Sequence, residues 1–199
     1  AVYRRDFLNR NAIRFLPTPG AAFQDASFTF KVFALADTAV YLHDSVLSYR
    51  QDNEGSSVNS PNKVHCVNDE YAEIHRWIVE DYAETHSSLD VAKLLRFANI
   101  IKYDSYMWSY IRLNPKFYAE FLDRMAQEFR GALEVHEFEL TDLKPWKRAN
   151  LKAIVNDPQK WLTESEDFAG AGALGRARHY ARIGGPGVVA AFVLDAIKK

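Results

Sequence analysis

The sequence predicts a fold that opens as mixed α/β and passes into mainly α. Three observations carry this. Two short β-rich runs, residues 39–43 and 46–50, flank Asp44-Ser45, which reads as the tight turn of a hairpin. A polar stretch over residues 51–63, with Gly55, Ser56, Ser57 and Pro61, then interrupts the pattern. Beyond it, apolar residues recur at three- and four-residue spacing almost to the end of the 199-residue chain.

Each element has its own warrant. Residues 2–11 place Val2, Tyr3, Phe7 and Leu8 among arginines, as in a short amphipathic helix, and Pro17-Thr18-Pro19-Gly20 breaks it. Asp25 stands where an N-cap belongs, and Phe28, Val32, Phe33, Leu35 and Ala36 share one side of the helix that follows. Past the polar stretch, Asp69 and Glu70 favour a helix start through the dipole, and Tyr71, Ile74, Trp77, Ile78 and Tyr82 form one face. Ser87 with Asp90 resembles a capping box, and Val91, Leu94, Leu95, Ala98 and Ile101 continue from it. Asn114-Pro115 is a cap followed by proline at the first helical position. Phe117, Phe121, Leu122, Met125 and Phe129 follow, with Gly131 suited to the end. Residues 144–155, 158–162 and 188–197 read as shorter helices, and 167–187 as a Gly-, Ala- and Arg-rich connection.

Composition narrows the function classes. A formal net charge of −1 gives no whole-chain basic footprint for nucleic acid. The single cysteine, Cys66, rules out an internal disulfide and a multi-cysteine zinc site; it reads as a buried, inert thiol and fits a reducing, cytoplasmic setting. No apolar run is read as approaching the length of a membrane span. Gly170-Ala-Gly-Ala-Leu-Gly175 matches a dinucleotide fingerprint in spelling only, since Thr163-Glu-Ser-Glu-Asp, not a buried strand, precedes it. Arg176, Arg178, His179 and Arg182, with Lys198 and Lys199, form one basic group; Lys144, Lys147, Arg148 and Lys152 form another. Both are compatible with a solvated face and with contact to an anionic membrane.

The densest polar stretches are Thr18-Pro-Gly-Ala-Ala-Phe-Gln-Asp25 and Tyr49-Arg-Gln-Asp-Asn-Glu-Gly-Ser-Ser-Val-Asn59, each at the end of a predicted regular element, where sites are usually built. Together with Asn68-Asp-Glu-Tyr71 and the opening Val2-Tyr-Arg-Arg-Asp-Phe-Leu8, they resemble the later part of bacterial family 2 glycosyltransferases over about residues 1–82. The resemblance implies part of a GT-A fold and transfer of a sugar from a nucleotide-sugar donor to an acceptor hydroxyl, with inversion. It divides the chain into an acceptor-side part, residues 1–67, and a helical C-terminal extension, residues 68–199. It also implies that Asp25, in the Gln24-Asp25 pair, is the general base. Gln24, Arg50, Asp52 and Ser56 would contact substrate, Arg50 offsetting diphosphate charge. Asp52 stands where relatives often carry His, and it is a candidate ligand for Mg²⁺ or Mn²⁺.

The family's Asp-x-Asp metal motif is absent from the sequence, so the chain is expected to be part of a longer enzyme and inactive alone. The expected partners are a nucleotide-sugar donor and a glycan or lipid-linked acceptor, with no nucleic acid; peripheral contact at the inner membrane face and homo-oligomerisation stay open. Trp108, beside Tyr106 and Tyr110, is a candidate lining of an acceptor groove, the other tryptophans being core. The rival reading is a non-catalytic helical module for interaction or oligomerisation, which the residues from 89 onward fit equally well.

Overall fold

Val67, Tyr71, Ile74 and Ile78 recur at the spacing that lines one side of a helix, and this stripe is the centre of the molecule. It belongs to α3 (Cys66–Glu80), which packs between α2 (Asp25–Leu35) and α4 (Ser88–Tyr110). The computed structural model describes residues 1–17, 23–44, 48, 64–165, 168 and 170–197. Among them the order is α1 (Arg5–Arg10), α2, α3, α4, α5 (Tyr118–Glu134), α6 (Pro145–Asn156), α7 (Pro158–Glu164) and α8 (Ala173–Ile197), with short 3-10 turns between several of them.

The expected α/β opening is overturned: among the described residues there is no strand, and the fold is all-helical. Residues 39–43 are irregular and exposed; of the second expected strand, all but Ser48 lies outside the described residues. β-rich composition makes a strand only where a neighbour accepts its backbone hydrogen bonds, and none does here among the described residues. The partial GT-A architecture falls with the strands.

The helix signals fared better. Ser87 caps α4 by accepting the Asp90 N–H at 3.2 Å, and its own hydroxyl donates to the Asp90 carboxylate at 2.6 Å. Asn114 accepts the Lys116 N–H, Pro115 opens a 3-10 turn, and α5 follows directly. On α5, Phe121, Leu122, Met125, Ala126 and Phe129 are fully buried in the core, where that helix packs against α4, α6 and α7. That helix runs on past Gly131 to Glu134. A second small cluster, Ile13, Phe28 and Val32 with Tyr3, Phe7 and Leu8, ties α1 to α2. Phe33, expected on the buried side, is 68% exposed.

The largest departure is at the C-terminus. Helix begins at Ala173, fifteen residues before the expected start, and runs to Ile197 across a kink at Gly185, whose φ is 73°. Gly175 therefore lies within a helix rather than in the expected connection. By length and composition α8 suffices to cross a membrane, contrary to the reading that no segment approaches that length. Cys66 is half-buried at the start of α3, not the sealed thiol expected.

Candidate functional site

The Gln24-Asp25 pair sits at the beginning of α2. Gln24, not Asp25, occupies the N-cap position, and Asp25 is the first helical residue. There its carboxylate lies at the helix N-terminus, where the dipole attracts negative charge. Asp25 is exposed, and among the described residues no hydrogen bond or ion pair engages it. A carboxylate in this state is free to meet a hydroxyl from solvent.

What fixes Asp25 is the rest of α2. Phe30 enters the main core, while Phe28 and Val32 enter the smaller one. The buried backbone N–H of Ser27 donates to Glu70 Oε2 at 2.9 Å, so α3 supplies the cap that Gln24's side chain does not. Lys31 pairs with Glu73, which also takes Arg76 at 2.7 Å; Arg76 reaches on to Glu80 and Asp81, both at 2.9 Å. The Arg76 hydrogen bond, against the opposing effect of burial and with help from Lys31, lowers the Glu73 pKa and keeps that carboxyl ionised.

Asn68-Asp-Glu-Tyr71 turns out to be a docking sequence. Asn68 donates to Glu128 of α5 at 3.1 Å, and Asp69 pairs with Arg124 of α5 at 3.2 Å. Glu70 caps α2, and Tyr71 shares a 2.7 Å hydrogen bond with Ser105 of α4. Burial pushes the Tyr71 phenol up to about 12. Glu128 gathers Lys102 at 2.7 Å, Tyr106 at 2.6 Å and Arg124 at 3.0 Å; burial alone would raise its pKa, but these partners outweigh burial and lower it. Periodicity alone assigns no such roles to Glu70 or Glu128; the polar identity of positions 68 and 70, both buried beside Val67 and Tyr71, was the available signal.

Beside the start of α2 lies an aromatic wall. Phe23 has φ 59°, a left-handed conformation that costs a bulky residue about 1 kcal/mol or more. Its ring meets Trp108 edge-on at 5.7 Å, and the Arg112 guanidinium lies 3.7 Å from the centroid of the Trp108 ring. Trp108 is 37% exposed, whereas Tyr106 and Tyr110 are buried in the core. The expected groove of three aromatics is thus replaced by Phe23, Trp108 and Arg112; neither Phe23 nor Arg112 carries a sequence signal for this role. Arg50, Asp52 and Ser56, the other expected substrate contacts, lie outside the described residues. Among the described residues no group of three or more His, Cys, Asp or Glu side chains is placed to hold a metal ion, so no chemistry is routed through the Mg²⁺ or Mn²⁺ that the resemblance implies.

A second polar constellation lies under α8. Trp161 Nε1–H donates to Asn150 Oδ1 at 3.0 Å, which fixes that atom as the acceptor. His179 Nε2 lies 2.9 Å from the same oxygen and must therefore donate to it. Nδ1 is then bare and accepts from the Ser165 hydroxyl at 3.1 Å, while Asn150 Nδ2 donates to the Tyr103 hydroxyl at 3.0 Å. Burial, with a contribution from Arg182, brings His179 down to about 4. This corrects its place in the basic group: the ring is neutral and interior. Ser165, His179 and Asn150 match a nucleophilic array in residue type only, because all three are buried and satisfied. No protein-family model, no curated protein and no solved structure matches this chain.

Proposed function

We propose that the chain is the acceptor-side, C-terminal part of a nucleotide-sugar-dependent glycosyltransferase, with Asp25 as general base. The observation that carries this reading is the state of Asp25: a solvent-open carboxylate, unengaged among the described residues, on a helix that Ser27 and Lys31 join to α3. The resemblance of residues 18–25 and 49–59 to family 2 glycosyltransferases gives that carboxylate its task.

In the proposed reaction, Asp25 takes the proton of the acceptor hydroxyl as its oxygen attacks the anomeric carbon. The new C–O bond forms on one face of the sugar. The bond to the nucleoside diphosphate breaks on the other, and the electron pair leaves with the diphosphate. A general base contributes roughly 10²–10⁴ in rate, so removing it leaves donor binding intact while turnover collapses.

The test uses the longer protein in which a nucleotide-sugar-binding half accompanies this chain. Asp25→Asn is expected to lower transfer by about 10²-fold or more with donor affinity unchanged. Unchanged turnover removes Asp25 as base and returns the field to the helical interaction module. The 199-residue chain alone is expected to be inert, since its sequence has no Asp-x-Asp motif; turnover of any nucleotide sugar by it overturns that part of the proposal.

A further inference from the structure

We propose that the C-terminal half of α8 is a docking surface for an anionic phospholipid bilayer. Between Ile183 and Ile197 the helix carries one charged residue, Asp195, and Lys144, at the N-cap of α6, neutralises it. Everything else in this stretch is apolar, glycine or proline. One side is accounted for: Val188, Val189 and Phe192 pack against the core, with the Phe192 ring 5.7 Å from Trp146 and 4.7 Å from Tyr180. The other side is equally apolar and uncovered. Ala190, Val193, Leu194 and Ile197, at the spacing of a single helical face, are all exposed, Leu194 to 59% and Ile197 to 74%. Only 6% of the most apolar window of α8 is buried, which separates it from the core helix of a globular protein.

Charge selects the occupant. The described part of α8 carries Arg176, Arg178 and Arg182, and its single acid is already paired. On α6, Arg148 and Lys152 line an open groove of about 500 Å³ that ends against Ile183 and Val188 at the kink. Among the described residues, neither has an acidic partner within ion-pairing distance, whereas Lys144, just before that helix, and Lys147 within it are taken up by Asp195 and Asp104. Among the described residues, the uncompensated charge around this helix is positive. An apolar stripe with arginine and lysine beside it fits an acyl–headgroup boundary with anionic lipids.

Length separates lying on the bilayer from crossing it. The helix after the kink, residues 186–197, spans about 18 Å at 1.5 Å per residue, short of a hydrocarbon core of about 30 Å. His179 and Tyr180 hold the first half of α8 inside the protein. The helix therefore rests in the interface with its outer face down. This surface stands independently of whether Asp25 is a catalytic base.

The experiment is vesicle flotation of the full chain with phosphatidylcholine vesicles containing phosphatidylglycerol, and with pure phosphatidylcholine. Binding is expected to the anionic vesicles, weakening as salt rises. Val193→Glu with Leu194→Glu is expected to abolish it while leaving helical content and the unfolding midpoint unchanged, because both side chains point away from the core. Arg148→Gln and Lys152→Gln are each expected to weaken binding about five-fold. No flotation with anionic vesicles overturns the proposal. So does equal binding to neutral vesicles, or binding unaffected by the double glutamate variant. Concentration-dependent dimerisation that the glutamates abolish, without vesicle binding, overturns it too and assigns the stripe instead to a second copy of the chain.

Discussion

His179 is a ring held where only its neutral form fits. Nδ1 must stay bare to accept from Ser165, and burial with Arg182 nearby lowers its pKa from the ordinary 6.5 to about 4. The unfolded chain thus binds the proton more readily than the folded one. The stability contributed by the neutral ring is complete above about pH 6.5 and is lost as pH falls towards 4, amounting to about 3 kcal/mol over the whole interval. Urea unfolding at pH 7, 5.5 and 4 is expected to show this decline, and His179→Gln to flatten it; an equal decline in the variant shows that another group is responsible. His75 has the opposite sign. Its hydrogen bond to Glu137, at 2.8 Å, outweighs burial and raises its pKa. Its contribution is present below pH 6.5 and fades as pH rises through the folded value, and the half-exposed ring keeps it small.

At the scale of elements, two junctions decide how the helices sit. The first is the start of α2, where Glu70 accepts the Ser27 N–H inside the protein. Glu70→Ala leaves that donor without a partner and is expected to destabilise the chain by about 1–3 kcal/mol, read as a lowered urea midpoint. It is also expected to speed amide exchange at Ser27 before the rest of α2; uniform exchange along the helix contradicts a cap in this position. The second is the kink of α8. Gly185 has φ 73° and ψ −173°, a conformation almost reserved for glycine. Gly185→Ala is expected to cost about 1–3 kcal/mol, with the loss concentrated where α8 meets α6 and seen as accelerated exchange beyond residue 183. A neutral effect on stability shows that the kink straightens without penalty.

At the scale of the whole molecule, what could be read from the sequence depended on how local its cause is. The stripes of α3 and α5, the Ser87 cap and the Asn114-Pro115 restart are set by neighbouring residues, and they stand where the pattern puts them. Residues 39–43 misled because β-branched and aromatic side chains signal a fit to a sheet, and a sheet needs a partner strand that propensity cannot supply. The glycines and proline at 184–187 read as an interruption. In the structure they bend one helix, because Pro186 opens a new helical turn as readily as it ends an old one. The proposal of Asp25 as base rests on the spelling of residues 18–25. The aromatic wall of Phe23 and Trp108 was not, since those residues meet only after α2 and α4 have packed around α3.

The Ser27–Glu70 hydrogen bond also has a consequence in time. Its two residues are 43 positions apart, so during synthesis α2 leaves the ribosome before its cap does. At about 5–20 residues per second, Glu70 emerges roughly 2–9 s after Ser27. An eleven-residue helix is marginal by itself, so the nascent segment carrying Asp25 waits unfolded and exposed to proteases and chaperones. Its final shape is written by a later part of the message than the part that encodes it.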